Sequence, residues 1–257
     1  MERPIITLIS DWGWDDVSLG LMKWELYQRF PNACVVDLVH DVELLDVNQT
    51  AFMMSRLYQR FPEGSLHLML TGVSRLSNET PLVVEMEGHY FIGLDNGVFP
   101  ALFPDGTLQV RRLKEGVGDC LEQMSVLAEA CLTHRCQEVT EEAELLCENY
   151  LLRYVYSGAE KSFLGHVMYI DSHHNVVTNI PAQLFKDALG DQSFELRLSG
   201  FVIRKFHDRY VKECEPYLVP NSLGVLEIVS YGAKLVLVPK WNVGQAIRIE
   251  MIFPKDS

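Results

Sequence analysis

Long apolar runs are missing from this 257-residue sequence, and no window approaches the roughly 18 consecutive apolar residues that a membrane-spanning helix needs. A basic leader before an apolar stretch is also missing, because Met-Glu-Arg-Pro leads directly into the short run Ile5–Ile9. We therefore expect a protein that has no membrane partner and resides in the cytoplasm.

Basic residues are few, since 22 Lys and Arg stand against 35 Asp and Glu, a formal net charge of −13. Such a surface repels a phosphate backbone, so nucleic acid is not expected as a partner. The six cysteines form no Cys-x-x-Cys pair and no finger-like Cys/His spacing, which predicts neither a zinc site nor a redox motif. With 48% hydrophobic and 22% charged residues, the composition is typical of a folded globular protein.

The first hundred residues alternate short apolar runs with longer amphipathic ones, which is the pattern of strands joined by helical crossovers. Strands are predicted at residues 5–9, 34–39 and 66–70, and helices at 17–30 and 47–61. Each helix ends before a proline, which cannot continue it. These elements predict a Rossmann-like β-α-β-α-β sheet, that is, an α/β N-terminal domain.

The pattern changes in the second half of the chain. A hairpin is predicted at residues 82–86 and 90–94, and helices at 121–132 and 141–154. From His166 onward, apart from a short helix at 182–189, strands are predicted at 167–170, 176–180, 194–198, 201–206, 225–229, 235–238 and 246–252. Many short strands with Gly, Pro and Asn turns predict a mostly antiparallel β-barrel-like C-terminal domain. We place the domains at residues 1–160 and 161–257.

Three aspartates lie close together after the first predicted strand: Asp11 directly after it, and Asp15 and Asp16 at the start of the next helix. Ligands of open α/β sheets bind beyond the carboxyl ends of the strands. One alternative is helix capping by Asp15 and Asp16. Another is a calcium site, because the stretch resembles the D-x-D-x-G-x-D-D signature of calcium-dependent nucleoside hydrolases. Ile9 occupies the first ligand position of that signature, so no metal site is assigned.

One resemblance extends along most of the chain. It opens within residues 10–23, which read S-D-W-G, then Asp16, then G-L-M-K. Further stretches follow in order and at similar spacing: F-P-N-A at 30–33, V-D-L-V-H at 36–40, A-F at 51–52, G-S-L-H at 64–67, L-D-N-G at 94–97, Y-I-D at 169–171, N-V-V-T-N-I at 175–180 and N-S-L-G-V-L-E-I at 221–228. Together they resemble the S-adenosylmethionine hydroxide adenosyltransferase and halogenase family, whose opening motif is approximately T-D-F-G-x-x-D-x-Y-V-G-x-M-K. The chain is identified as a member of that family.

The resemblance implies an α/β domain, a β-barrel-like domain and a homotrimer. In the family, S-adenosylmethionine lies between the first domain of one subunit and the second domain of its neighbour. A nucleophile, either water or halide, displaces methionine at the ribose C5′ carbon. S-adenosylmethionine or adenosine is therefore the expected partner, as substrate or ligand, and no separate cofactor is expected.

The resemblance also implies roles for individual residues. Asp11 would accept both ribose hydroxyls, Asp171 and Ser222 would bind the methionine ammonium group, and Asn175 would contact the adenine edge. Ionised carboxylates suit hydroxyl and ammonium donors. Asn175 capping a turn and Asp171 ending a strand are the alternatives.

The residues that activate water in the hydroxide-using branch do not match. Gly72 stands where that branch has a catalytic Asp, Glu79 stands where it has an Arg, and residues 114–124 lack the expected His. Water would then have to be placed by substitutes such as Asp16 or Asn96.

Halide chemistry is not supported either, because the halogenase branch has Tyr and, three residues on, Thr, where this sequence has Gly72 and Arg75. Arg75 is either a cation for a bound anion or an exposed loop residue. Three hypotheses follow: a weak adenosine-forming S-adenosylmethionine hydrolase, a catalytically silent nucleoside-binding trimer, and a calcium-dependent nucleoside hydrolase. Pocket residues persist while the reacting groups do not, so the sequence predicts nucleoside binding with hydrolysis weak or lost.

Overall fold

The computed structural model describes residues 3–74, 79–149, 151–198, 201–231 and 242–252. The chain forms two compact units, residues 1–151 and 152–257. The sequence places the boundary later, between 160 and 161. The division falls earlier because residues 155–157 pair with the first long strand of the second unit. Across the described ranges, no helix is both long and apolar enough to cross a membrane.

The first unit is an α/β domain, as predicted. Its strands are β1 (Ile5–Ile9), β2 (Cys34–Val39), β3 (Leu66–Met69), β4 (Leu82–Met86), β5 (His89–Gly93), β6 (Gln109–Leu113) and β7 (Thr140–Glu142). Its helices are α1 (Val17–Arg29), α2 (Val47–Leu57), α3 (Val98–Leu102), α4 (Cys120–Leu132) and α5 (Cys136–Val139), with a 3-10 turn at Tyr58–Arg60. The strands form one mixed sheet in the order β2-β1-β3-β5-β4-β6-β7.

The sequence explains where the first helix begins and ends. Asp16 caps α1 by accepting a hydrogen bond from the Ser18 N–H at 2.7 Å, and the helix ends two residues before Pro31. Leu19, Met22 and Leu26 recur at helical spacing and are buried against the sheet core, so the amphipathic pattern that predicts the helix also fixes which face packs.

The strand order creates a switch point beside β1. This strand pairs in parallel with β2 on one side and with β3 on the other. The connection from β1 therefore leads to a strand on one side of it, and the connection from β2 leads to a strand on the other side. The carboxyl ends of these strands share one edge of the sheet, where α/β proteins place their ligands. Asp11 follows β1 at this edge.

The predicted helix at residues 141–154 is wrong. Residues 140–142 form β7, which pairs with β6, and residues 143–149 adopt no helix. Two contacts with distant residues explain the difference. The Arg111 side chain holds Thr140 beside β6, and the Asp95 carboxylate accepts the backbone N–H groups of Leu146 and Cys147 at 2.8 and 3.2 Å.

The second unit is the predicted antiparallel domain. Its elements are β8 (Val155–Ser157), β9 (Ser162–Ile170), β10 (Val176–Pro181), α6 (Ala182–Leu189), β11 (Ser193–Leu198), β12 (Phe201–Ile203), β13 (Tyr217–Pro220), β14 (Val225–Val229) and β15 (Ala246–Ile252). The sheet runs β12-β11-β15-β9-β10-β14-β13, with β8 added on β9. The predicted strand at 235–238 lies outside the described residues.

The sheet of the second unit is nearly closed. Phe206, just after β12 at one end of the strand order, forms a bridge with Leu218 of β13 at the other end. Inside lies an aromatic and aliphatic core that includes Phe163, Phe185 and Phe194. Side chains on the concave face fill the interior, as in small barrels generally.

Candidate functional site

Asp11 is held rigidly at the mouth of the first sheet. Its Oδ2 atom accepts two backbone hydrogen bonds, from the Leu45 N–H at 2.9 Å and the Gly72 N–H at 3.0 Å. These donors come from the segments that follow β2 and β3, so one carboxylate oxygen ties three strand ends together. Within the described part of the chain no hydrogen bond reaches Oδ1, which is therefore the oxygen left for a ligand.

Asn96 extends this arrangement to the end of β5. Its Nδ2 atom donates to the Thr71 carbonyl at 3.0 Å, and its Oδ1 atom accepts the Val98 N–H at 3.2 Å. Thr71 adjoins Gly72, so Asn96 braces the segment that holds Asp11.

A chain of hydrogen-bonded polar groups begins at Ser10, next to Asp11; Ser10 and His40 are buried, whereas Asp37 and Lys23 are partly exposed. The Ser10 hydroxyl is 2.7 Å from His40 Nδ1, His40 Nε2 is 3.0 Å from Asp37 Oδ1, and Lys23 Nζ is 2.6 Å from Asp37 Oδ2. A carboxylate can only accept, so Nε2 carries the hydrogen, and the Nδ1 of a neutral ring accepts from Ser10. Burial opposes ionisation of Asp37, but the hydrogen bonds from Lys23 and His40, together with the charge of Lys23, outweigh it and lower the pKa of Asp37.

The other two aspartates of the cluster are arranged differently from Asp11. Asp16 caps α1, and the hydrogen bond from the Ser18 N–H lowers the pKa of its carboxyl. Asp15 is exposed. Among the residues that the structure describes, no group of three or more His, Cys, Asp or Glu side chains could hold a metal ion, so the calcium hypothesis finds no ligand set there.

Gly72, which the resemblance aligns with a catalytic acid, has a backbone with the left-handed value φ = +76°. A Cβ atom there would make only ordinary contacts, with Leu45 and Asn96, so conformation rather than space favours glycine. What Gly72 contributes is its N–H, which is donated to Asp11. Arg75, the possible cation for a bound anion, lies outside the described residues, and Glu79 lies within them.

Asp171 and Asn175 come together in the turn between β9 and β10. Asp171 Oδ1 accepts the His173 and Asn175 N–H groups, both at 2.8 Å, and Oδ2 accepts the Asn175 side-chain amide at 3.0 Å. His174 completes the turn with φ = +63°. In the isolated chain Asp171 directly follows the end of β9 and Asn175 lies in the turn, which are the structural roles given as the alternatives; their ligand-binding roles stay predictions.

Ser222 is exposed in the turn between β13 and β14. Its neighbour Asn221 organises that turn, because Asn221 Oδ1 accepts the Leu223 N–H at 3.0 Å and the Val225 N–H at 3.3 Å. Gly224 has φ = +76°, which closes the turn.

A cavity of about 490 Å³ opens in the second unit beside the Asp171 turn. Aromatic and polar side chains line it, among them His173, Asn175, Tyr210, Lys212 and Tyr231. Behind Tyr210 lies Glu227 of β14, a buried carboxyl that accepts the Tyr210 hydroxyl at 3.2 Å. The cavity is open to solvent on one side.

Four of these polar residues received no role from the sequence: Lys23, Asp37, His40 and Glu227. Each lies inside a stretch that carries the family resemblance. For Asp37, His40 and Glu227 the available signal was a charged or imidazole side chain in or beside an otherwise apolar strand, since such a group is rarely buried without partners. Lys23 lies in α1 and carried no such signal.

A mixed sheet with a fixed carboxylate at its switch point, followed by a nearly closed antiparallel sheet, defines a two-domain class of α/β plus β proteins. Comparison with protein families makes this specific. Residues 6–140 match the model of the SAM hydroxide adenosyltransferase N-terminal domain, and residues 165–248 match that of its C-terminal domain, SAM being S-adenosylmethionine. The chain therefore belongs to the SAM hydroxide adenosyltransferase family.

Individual relatives are distant. A protein of Thermus thermophilus named (R)-S-adenosyl-L-methionine hydrolase is 29% identical over 97 residues, which is 38% of this chain and 37% of that protein. The match thus spans little more than a third of the relative.

Two solved structures share the fold. An uncharacterized conserved protein of Thermotoga maritima aligns with a TM-score of 0.77 and 21% identity over 95% of this chain and 99% of that one. A conserved hypothetical protein of Thermus thermophilus aligns with a TM-score of 0.69 and 18% identity over 98% and 100% of the two chains.

Proposed function

We propose that this protein binds S-adenosylmethionine and adenosine, and that it hydrolyses S-adenosylmethionine to adenosine and methionine only slowly. Membership of the family in both domains supports the ligand class. The name of the Thermus relative supports the reaction, through a match limited to part of the chain.

The observation that best supports the proposal is the hydrogen bonding of the Asp11 carboxylate. Two backbone donors fix one oxygen of the carboxylate at the sheet edge and leave the other available. A carboxylate fixed before the ligand arrives loses little entropy on binding and makes strong charge-assisted bonds to hydroxyls. We propose that Asp11 Oδ1 accepts from the ribose diol, while Asp171, Asn175 and Ser222 bind the methionine and adenine parts.

Slow hydrolysis follows from what surrounds that carboxylate. Gly72, in a left-handed conformation, offers no acid, Glu79 replaces an arginine, and residues 114–124 contain no histidine. A positioned general base is typically worth about 10² to 10⁴ in rate. We expect turnover reduced by roughly this factor relative to family members that keep the three groups.

The homotrimer is a further part of the proposal, with the second domain of one subunit completing the site of its neighbour. Three apolar side chains form an exposed stripe on α1: Val17 is 77%, Leu21 45% and Trp24 62% exposed. An exposed apolar stripe of this kind is typical of a surface that another chain covers, which supports the trimer. Light scattering should give three times the 29.3 kDa chain mass, and a monomer mass would contradict this part.

Incubation with S-adenosylmethionine, followed by chromatography for adenosine, tests the reaction. We expect slow, enzyme-dependent adenosine release, in proportion to protein and unaffected by a calcium chelator. Binding without any adenosine would favour the catalytically silent trimer. Activity abolished by the chelator would favour a calcium-dependent nucleoside hydrolase, and neither binding nor product would contradict the proposal.

A further inference from the structure

Glu227 is a carboxyl group buried where strand side chains are usually apolar. It lies at the centre of β14, flanked by the core residues Leu226 and Ile228, and is only 4% exposed. Its Oε2 atom accepts the Tyr210 hydroxyl at 3.2 Å, whereas Oε1 has no hydrogen-bond partner among the described residues. A buried polar atom without a partner is costly, so its retention calls for an explanation.

The strand register puts Glu227 between two of the stretches that carry the family resemblance. Its direct neighbours across the sheet are Val177 of β10 and Val219 of β13. Asn175 is two residues before Val177, and Asn221 is two residues after Val219, so both asparagines lie diagonally from Glu227 on the same face. These two asparagines organise the Asp171 turn and the turn that carries Ser222.

The charges around Glu227 oppose its ionisation. Burial raises the pKa of its carboxyl, and the negative charge of Asp171 raises it further. Part of this rise in the pKa is offset by the side-chain amides of Asn221 and Asn175 and by the Tyr210 hydroxyl. Neither amide makes an ordinary hydrogen bond to Oε1.

Among the described residues, the titratable groups on this face are Tyr169 of β9, Tyr217 of β13, Tyr210 and Asp171. Basic groups lie beside them, because His173 and Lys212 line the same cavity as Tyr210 and the His207 ring packs edge-on against Tyr217. Burial, together with the charge of Glu227, raises the pKa of Tyr169 to about 12. Glu227 thus keeps its proton to a higher pH than an exposed glutamate does, and ionising it places a second negative charge beside Asp171.

Tyr210 and Asn175 both line the 490 Å³ cavity, and Glu227 lies behind them. We propose that Glu227 is a positioning residue of the nucleoside site, whose buried carboxyl holds the Tyr210 wall, the Asp171 turn and the Ser222 turn in one arrangement. This inference rests on the proposed function. The protonated carboxyl can donate as well as accept, so it suits this role better than the carboxylate.

Calorimetric titration with adenosine, at a series of pH values from the ordinary glutamate value of 4.5 upward, tests the inference on the full chain. Wild-type affinity should fall by roughly 3- to 10-fold as the pH rises and Glu227 ionises. Glu227→Gln, which keeps the shape but cannot ionise, should bind within about threefold of wild type at the low end and lose most of the decline. Glu227→Ala should bind at least roughly tenfold more weakly at every pH, because both turns lose their support.

Glu250→Gln is the matched control, because Glu250 is an exposed glutamate on β15 of the same unit. It should retain the wild-type pH profile, which includes any contribution from exposed His173. Circular dichroism at each pH checks folding, and rescue of the Ala defect by Gln separates positioning from a loss of structure. Wild-type protein that binds adenosine, with Glu227→Gln and Glu227→Ala indistinguishable from it, would overturn the inference. Wild-type protein that does not bind adenosine would instead contradict the proposed function.

Discussion

Asp11 shows how one side chain can serve the fold and a ligand together. Oδ2 accepts the Leu45 and Gly72 N–H groups, so the carboxylate is oriented by backbone from two other strand ends. Asp11→Asn keeps an oxygen for these donors but removes the charge that strengthens a bond to a hydroxyl. We expect adenosine binding to weaken by about 1.5 to 3 kcal/mol, roughly 10- to 150-fold.

Calorimetry on Asp11→Asn and on Asp15→Asn makes the comparison. Asp15 is exposed and four residues away, so its substitution removes the same charge without touching the sheet edge. Equal affinities in wild type and Asp11→Asn would remove Asp11 from the site.

Gly72 is a residue whose conformation matters more than its size. At φ = +76°, Ala in its place should lower the free energy of unfolding by about 1 to 2 kcal/mol. Gly20 is the matched control, since it lies in α1 with nothing within 4 Å of an added Cβ atom. Gly20→Ala should raise the same free energy by about 0.5 to 1 kcal/mol. Urea unfolding that shows the same sign for both variants would contradict this account of Gly72.

The sequence predicted where Asp11 lies but not how many of its oxygens are available. Its position after an apolar run at the start of the chain places it at the end of a strand. The donors to Oδ2 come from Leu45 and Gly72, which only the tertiary fold brings near it. The same limit applies to Glu227, whose neighbours Asn175 and Asn221 depend on strand register across three strands.

At the scale of single elements, α1 depends on its N-terminal cap. Asp16 accepts the Ser18 N–H, and Asn is as good an N-cap as Asp. Asp16→Asn should therefore leave the free energy of unfolding within about 0.5 kcal/mol of wild type, while Asp16→Ala should lower it by about 1 kcal/mol. Thermal or urea unfolding distinguishes the two, and an Asn variant as unstable as the Ala variant would show that charge rather than capping is what Asp16 provides.

Strands β1, β3 and β5 share a buried imidazole pair. His67 Nδ1 is 2.8 Å from the Thr7 hydroxyl and His67 Nε2 is 3.1 Å from His89 Nδ1. Burial, reinforced by His89, lowers the pKa of His67 to about 3, and burial also lowers that of His89. Between about pH 6.5 and 3 the unfolded chain binds protons that the folded chain does not, so stability falls as the pH falls through this window.

The slope should approach about 1.4 kcal/mol per pH unit for each such histidine. In His67→Gln the slope should be smaller than in the wild-type protein by about 1.4 kcal/mol per pH unit, which is the contribution of one proton. Urea unfolding at several pH values measures both slopes, and a wild-type stability that is flat from about pH 6.5 to 4 would contradict the assignment.

Local patterns predicted those elements whose own side chains decide their structure. Residues 5–9 and 34–39 are strands with the predicted bounds, and α1 begins where its capping aspartate indicates. The helix predicted at 141–154 does not form, because hydrogen bonds to residues distant in the sequence fix the backbone of this part of the chain: Arg111 binds the Thr140 carbonyl, and Asp95 accepts the Leu146 N–H. Several like charges at helical spacing, such as Glu141 and Glu144, also disfavour a helix there.

At the scale of the whole molecule, two units each have a core of their own. Apolar residues of β1, β3 and the helices form the first, and the aromatic cluster around Phe163 and Phe185 forms the second. The family match covers residues 6–140 of the first unit and residues 165–248 of the second.

Titration of the purified wild-type protein with adenosine in a calorimeter shows whether this chain has a nucleoside site. We expect saturable heat with one site per chain, and competition by S-adenosylmethionine for the same site. A titration without saturable heat across the millimolar range, on protein shown to be folded, would contradict it.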